Sequence, residues 1–111
     1  MKLPSKVRFR DNKIQKAFEE LLKSHSDEKK IYNWLVRAFK DIEENAFCGI
    51  QIPKRLIPKH YINKCKINNL WKYNLPNAWR LLYSVENQEI FVVSIILDWM
   101  DHKTYERTFN Y

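Results

Sequence analysis

No stretch of this chain is apolar for long enough to cross a membrane: the longest apolar run, Ile90 to Leu97, has only the length of a strand. The opening MKLPSKVRFRDNK lacks the apolar core of a signal peptide. A soluble, cytoplasmic protein with no membrane partner is therefore expected. Cysteine is scarce. Cys48 and Cys65 show no C-x-x-C spacing, and His25, His60 and His102 are scattered rather than spaced as ligands. That pattern argues against structural zinc, and neither metal nor cofactor is expected. Two buried, reduced thiols are the preferred reading, with a single disulfide as the alternative. Internal repeats and low-complexity segments are absent as well.

The most informative absence is of acid. Residues 46–85 contain Lys54, Arg55, Lys59, Lys64, Lys66, Lys72 and Arg80 without one Asp or Glu. The flanks cancel, with eleven bases and eight acids in residues 1–45 (+3) and two bases and five acids in residues 86–111 (−3). The entire net charge of +7 thus belongs to one segment. Unpaired cations concentrated in this way suggest a footprint for a polyanion. A solvated lysine surface is the plainer alternative.

What is present suffices for one core. The 111 residues, 45% of them hydrophobic with four Trp, six Tyr and six Phe, argue for a single folded domain spanning 1–111. Val7-Arg8-Phe9 reads as a short strand. Asp11 can cap a helix whose apolar positions Ile14, Ala17, Phe18, Leu21 and Leu22 follow helical spacing, and Ile31, Trp34, Leu35, Ala38 and Ile42 repeat the pattern to about Asn45. The short link between them predicts an αα-hairpin. Phe47 to Asn69 lacks a clean period and reads as an ordered connection, with one helical turn near Pro58-Lys59-His60-Tyr61.

Three strands are expected next. In LWKYNLPNAWRLLYSV (70–85), Trp71, Tyr73 and Leu75 alternate on one face, and Trp79, Leu81, Tyr83 and Val85 continue it after a Pro76-Asn77 turn. EIFVVSIIL, apolar on both faces, predicts a strand covered on both sides. A helix from Lys103 to Phe109 closes the chain. The expected fold is α+β: an N-terminal strand and αα-hairpin packed on a curved antiparallel sheet, with a C-terminal helix.

The alternation carries a chemical consequence. Lys72, Asn74 and Arg80 must share the face opposite the aromatic one. The residues after the last strand, DWMDHKTYERTFNY, are brought to that face too. Arg80, Lys72, His102 and Tyr105 could then converge, a set suited to cleaving RNA through its own 2′-OH. Arg and Lys stabilise the phosphorane, while His and Tyr exchange protons. The plainer reading leaves Arg80 exposed or ion-paired, makes Asp101-His102 a helix start, and packs the Tyr105 ring on the sheet.

The order of these elements, WRLLYSV followed by an apolar strand, and DHKTYER near the C-terminus resemble the RelE/ParE superfamily of type II toxins. FCGIQIPKRLIPKHY and NLWKYNLPNAWRLLY are similar to its archaeal-type RelE members. The resemblance covers nearly the whole chain. It implies a ribosome-dependent endoribonuclease, an mRNA interferase, held by a small acidic antitoxin in a toxin–antitoxin hetero-oligomer, with the ribosome and mRNA as partners. Arg80 matches the arginine of the family's R-L-x-Y strand, Lys72 a basic residue of the preceding strand, and Tyr105 the C-terminal tyrosine. Asn74 stands where some members have a second lysine. Asp98 to His102 holds no arginine where some have one, and its H-x-x-Y resembles other branches. Tyr111 competes with Tyr105 for the terminal aromatic. The basic residues Lys54, Arg55, Lys59, Lys64 and Lys66 would follow RNA phosphates. Two other readings stay open: a ParE-like toxin that poisons gyrase, and an inactive RNA-binding relative.

Overall fold

The computed structural model describes residues 2–24, 27–88 and 91–109. Strand β1 (Lys6–Phe9) leads to α1 (Asn12–Lys23) and α2 (Asp27–Glu44). Asp11 caps α1 by accepting the Ile14 amide at 2.9 Å. This is the cap expected from an Asp set just before an apolar helical period. Beyond α2 come β2 (Ile50–Gln51), α3 (Lys59–Cys65), β3 (Trp71–Asn74), β4 (Arg80–Asn87), β5 (Val92–Met100) and α4 (His102–Phe109). Single 3-10 turns occupy Lys54–Leu56 and Pro76–Ala78. The four helices and five strands form a compact α+β fold. No helix among the described residues is long and apolar enough to cross a membrane.

The sheet order is β1-β5-β4-β3-β2. It is mixed rather than wholly antiparallel: β1 lies parallel to β5, with Phe9 opposite Ile96, while every other pair is antiparallel. A strand of four residues carries no pattern that encodes its direction. The αα-hairpin that follows it makes a parallel placement possible, because the chain crosses to the far edge before β2 to β5 step back. The connecting segment is also more regular than its irregular period implied. Pro58, with φ −56°, precedes α3, and its carbonyl accepts the Tyr61 amide. The expected single turn thereby extends to a seven-residue helix.

Helices cover both faces of the sheet. Leu35, Ala38 and Ile42 of α2 pack on Leu75, Leu81, Tyr83 and Ile96, with Trp71, Tyr73 and Trp79 at the margin. On the opposite face Tyr61 of α3 and Tyr105 and Phe109 of α4 pack on Leu82, Leu97 and Met100. The alternation expected in 70–85 therefore holds, and β5 is covered on both sides. One irregularity breaks the period of β5. Leu82 pairs with Asp98 but Tyr83 pairs with Ile96, so Leu97 is the extra residue of a β-bulge. Leu97 and Asp98 consequently turn toward the same face, beneath α3 and α4.

The cysteines depart from expectation. Both are free, Cys48 is exposed, and Cys65 is only partly buried at the end of α3. Cys48 lies in the turn before β2, away from the core, and Cys65 packs only at the core's margin.

Three backbone positions border the strands that carry Lys72 and Arg80. Gly49, the chain's one glycine, sits where an added Cβ would lie 2.6 Å from the Lys72 carbonyl oxygen and 2.7 Å from the Tyr83 hydroxyl. That hydroxyl accepts the Gly49 amide at 3.1 Å and donates to the Ala46 carbonyl at 2.8 Å. In the β3–β4 turn Asn77 (φ 58°) and Ala78 (φ 62°) are both left-handed. Asparagine adopts that conformation readily and alanine does not.

Candidate functional site

Lys72 lies in the middle of β3 and Arg80 opens β4. Their registers place Lys72 beside Leu82 and Arg80 beside Asn74 and Met100, so both cations lie on the α3/α4 face. Both are partly buried, and neither makes an ion pair among the described residues. They meet an aromatic ring instead. The Lys72 Nζ stands 5.4 Å and the Arg80 Cζ 5.5 Å from the centroid of the Tyr105 ring. A cation held within about 6 Å of a ring gains roughly 0.5–2 kcal/mol, increasing as water is excluded. The ring in turn stacks on Phe109 one helical turn away, at 4.4 Å.

Helix α4 sets this arrangement. Asp101 accepts the Thr104 amide at 2.8 Å, which starts the helix directly after β5 and holds the Asp101 carboxyl below its ordinary value. Tyr105 and Phe109, at i and i+4, then share the inward face. Tyr105 is 2% exposed. His102 stays on the exposed side of α4, where its Nε2 pairs with the Glu106 carboxylate. Lys72, Arg80 and Tyr105 are thus brought together, and His102 makes no hydrogen bond or ion pair to either cation among the described residues. Tyr111 lies outside the described residues, as does His25.

The electrostatics favour an anion. Arg80 donates from Nη1 to the Trp79 carbonyl at 3.3 Å, while its Nε is buried without a hydrogen-bond partner among the described residues. A buried guanidinium N–H without an acceptor costs stability unless a ligand supplies one. Asp98, which follows the bulge residue Leu97 on the same face, is engaged elsewhere: it accepts the Trp99 amide at 2.9 Å and the Tyr61 hydroxyl at 3.3 Å. Burial raises the Asp98 carboxyl above its ordinary value, and burial together with Asp98 raises the Tyr61 phenol. Among the described residues no carboxylate pairs with Lys72 or Arg80.

The remaining cations of the basic segment are all exposed and free of ion pairs among the described residues. Lys54 and Arg55 lie in the first 3-10 turn, Lys59 and Lys64 on α3, and Lys66 just past it. A groove of about 650 Å³ runs between Arg55, Lys59 and His60 on one side and Thr108 and Phe109 of α4 on the other. It connects the basic connection to the helix that carries Tyr105. Segment-by-segment charge counting missed two cations, Arg10 and Lys13. Arg10, from the nearly balanced N-terminal region, lies 3.5 Å from the Cys65 Sγ beside Lys64 and Lys66. Only the parallel β1–β5 pairing brings it there, and no local sequence signal carries that pairing.

No family model, curated protein or solved structure matches this chain.

Proposed function

We propose that this chain is the toxin of a type II toxin–antitoxin pair, a RelE-like endoribonuclease that cuts mRNA on the ribosome through the RNA's own 2′-OH. The observation that carries the reading is the pair Lys72 and Arg80, two partly buried cations that rest on one ring and make no ion pair among the described residues. A scissile phosphate docked there meets positive charge that grows in value as the dianionic phosphorane forms. Arg80 adds its unpartnered Nε–H as a directed donor. Tyr105, at 2% exposure, acts by holding the cations in place. His102, exposed at the start of α4, is the group able to exchange protons with substrate once it leaves Glu106. The attacking oxygen belongs to the RNA, so the product carries a 2′,3′-cyclic or 3′-phosphate. An acidic antitoxin would cover the same face, neutralising the charge concentrated in residues 46–85.

The test is a translation reaction containing the protein, with mRNA ends mapped. Wild-type protein should yield defined cuts in ribosome-bound mRNA. Arg80→Ala should lose roughly a hundredfold or more in rate while folding normally, because the phosphorane loses a positioned charge. Undiminished cutting by folded Arg80→Ala protein would falsify the site. Wild-type protein that leaves mRNA intact but stalls gyrase would instead be a ParE-like poison on a similar scaffold.

A further inference from the structure

A second basic groove lies at the far end of α3 from the first. It occupies about 560 Å³ and is lined by Arg10, Asp11, Lys13, Lys64, Cys65 and Lys66. Its cations come from two distant parts of the chain, the β1–α1 junction and the end of α3. The single acid is already committed. One oxygen of Asp11 caps the Ile14 amide and the other takes the Arg10 Nε at 3.0 Å. Lys13, Lys64 and Lys66 form no ion pair among the described residues. Four cations against one carboxylate leave an excess of three positive charges on this groove.

Lys66 supplies an independent sign. It ends α3 in the left-handed conformation, φ 54° and ψ 42°, the position that glycine or asparagine fills at least cost. A lysine kept there holds an ammonium at the rim of the groove at the expense of backbone strain. Such strain, once observed, points to a role for the side chain.

The geometry points to this groove as a second phosphate-contact site for RNA, separate from the Lys72/Arg80 pair and engaging the strand some nucleotides away from the cut. The assignment of RNA rests on the cleavage reading above. Helix α3 is the ruler between the two basic grooves. Its first turn, with Lys59 and His60, borders the groove shared with α4, and its last, with Lys64, borders this one. Seven residues span about 10 Å, enough to separate two contacts on one extended strand. Arg10 and Lys13 thereby join the binding surface, although the region they come from is close to neutral overall.

The experiment measures binding of a labelled 20-nucleotide single-stranded RNA by the full chain over a range of KCl concentrations. Three lysines of the groove are replaced together, Lys13→Gln, Lys64→Gln and Lys66→Gln, leaving the Arg10–Asp11 pair intact. The slope of log affinity against log salt should shrink by about 2, because each phosphate contact on a single strand contributes about 0.7. Affinity near physiological salt should fall at least tenfold. Replacing Lys29, Arg37 and Lys40 of α2 by Gln, a matched loss of charge on another surface, should leave the slope nearer the wild-type value. Lys66→Gly should raise the melting temperature yet weaken binding, a combination that a purely structural role does not produce. Equal slopes for wild type and the groove triple variant overturn the groove and leave the cleavage reading standing. Groove-dependent binding by a protein that never cuts mRNA does the reverse. A wild-type chain that does not bind the RNA overturns the groove outright.

Discussion

The guanidinium carbon of Arg80 lies 5.5 Å from the centre of the Tyr105 ring, so a strand arginine is held by an aromatic residue of the last helix where an acid would ordinarily serve. The difference matters for an anion site. A carboxylate partner would have to be displaced before a phosphate could bind, whereas a ring steadies the cation and leaves its charge available. Lys72 rests on the same ring, and one side chain therefore orients two charges contributed by adjacent strands.

Tyr105→Phe and Tyr105→Leu separate the two jobs that this ring could do. Phenylalanine keeps the ring and loses the hydroxyl, so cleavage by Tyr105→Phe should stay within about threefold of wild type if the ring orients cations. Leucine removes the ring face. Its cleavage rate should fall roughly tenfold or more, with a stability loss on the order of 1–3 kcal/mol from imperfect filling of a buried site. A hundredfold loss in Tyr105→Phe would instead make the phenol itself a proton donor or acceptor.

Much of this arrangement was legible in the sequence. Period-2 alternation placed Lys72 and Arg80 opposite Trp71, Tyr73 and Leu81, and helical spacing with the Asp11 cap located α1 and α2. The sequence offered Tyr105 either as a member of the cluster or as a ring packed on the sheet, and the structure buries the ring on the sheet beside both cations. Three features had no local signal. The parallel β1–β5 pairing depends on the path of the αα-hairpin, the bulge at Leu97 hides in a run that is apolar on both faces, and the gathering of Arg10 with Lys64 and Lys66 follows from that pairing. Composition alone made Gly49 conspicuous, while its reason lies in the Lys72 carbonyl that crowds it.

Gly49→Ala tests how far this crowding supports the site. The new Cβ would meet backbone 2.6 Å away, which cannot swing aside like the end of a flexible side chain. Either β2 or β3 must shift, and the Tyr83 hydroxyl is pushed from its two hydrogen bonds. The expected cost is about 1–3 kcal/mol, the range for forcing extra volume into a packed region. Urea denaturation measures it directly. Because the clash falls on the residue that carries the Lys72 side chain, cleavage per folded molecule should also drop. A variant as stable and active as wild type would show that the strands yield freely at this point.

Asp98→Asn should stabilise the protein, and the gain should grow with pH. Burial holds the Asp98 carboxyl above its ordinary value of 3.8, against weaker opposing pulls from the Trp99 amide, the Tyr61 hydroxyl, Arg10 and His60. The folded state therefore binds the proton more tightly than the unfolded chain does. The contribution of this group is most favourable below 3.8 and is lost as pH rises from there through the elevated folded-state value. At neutral pH the fold carries a partly buried charge on a strand bulge. Asparagine removes that charge, keeps an oxygen for the Trp99 amide, and offers its amide N–H to the Tyr61 oxygen. Stability of the two proteins, measured by urea denaturation from pH 4 to 8, should diverge as pH increases, with Asp98→Asn ahead at the upper end. A difference that stays flat across this range would mean that the carboxyl titrates alike in the folded and unfolded chains. Cleavage should be retained in Asp98→Asn, since Asp98 bonds Tyr61 and Trp99 and makes no ion pair with Lys72 or Arg80 among the described residues.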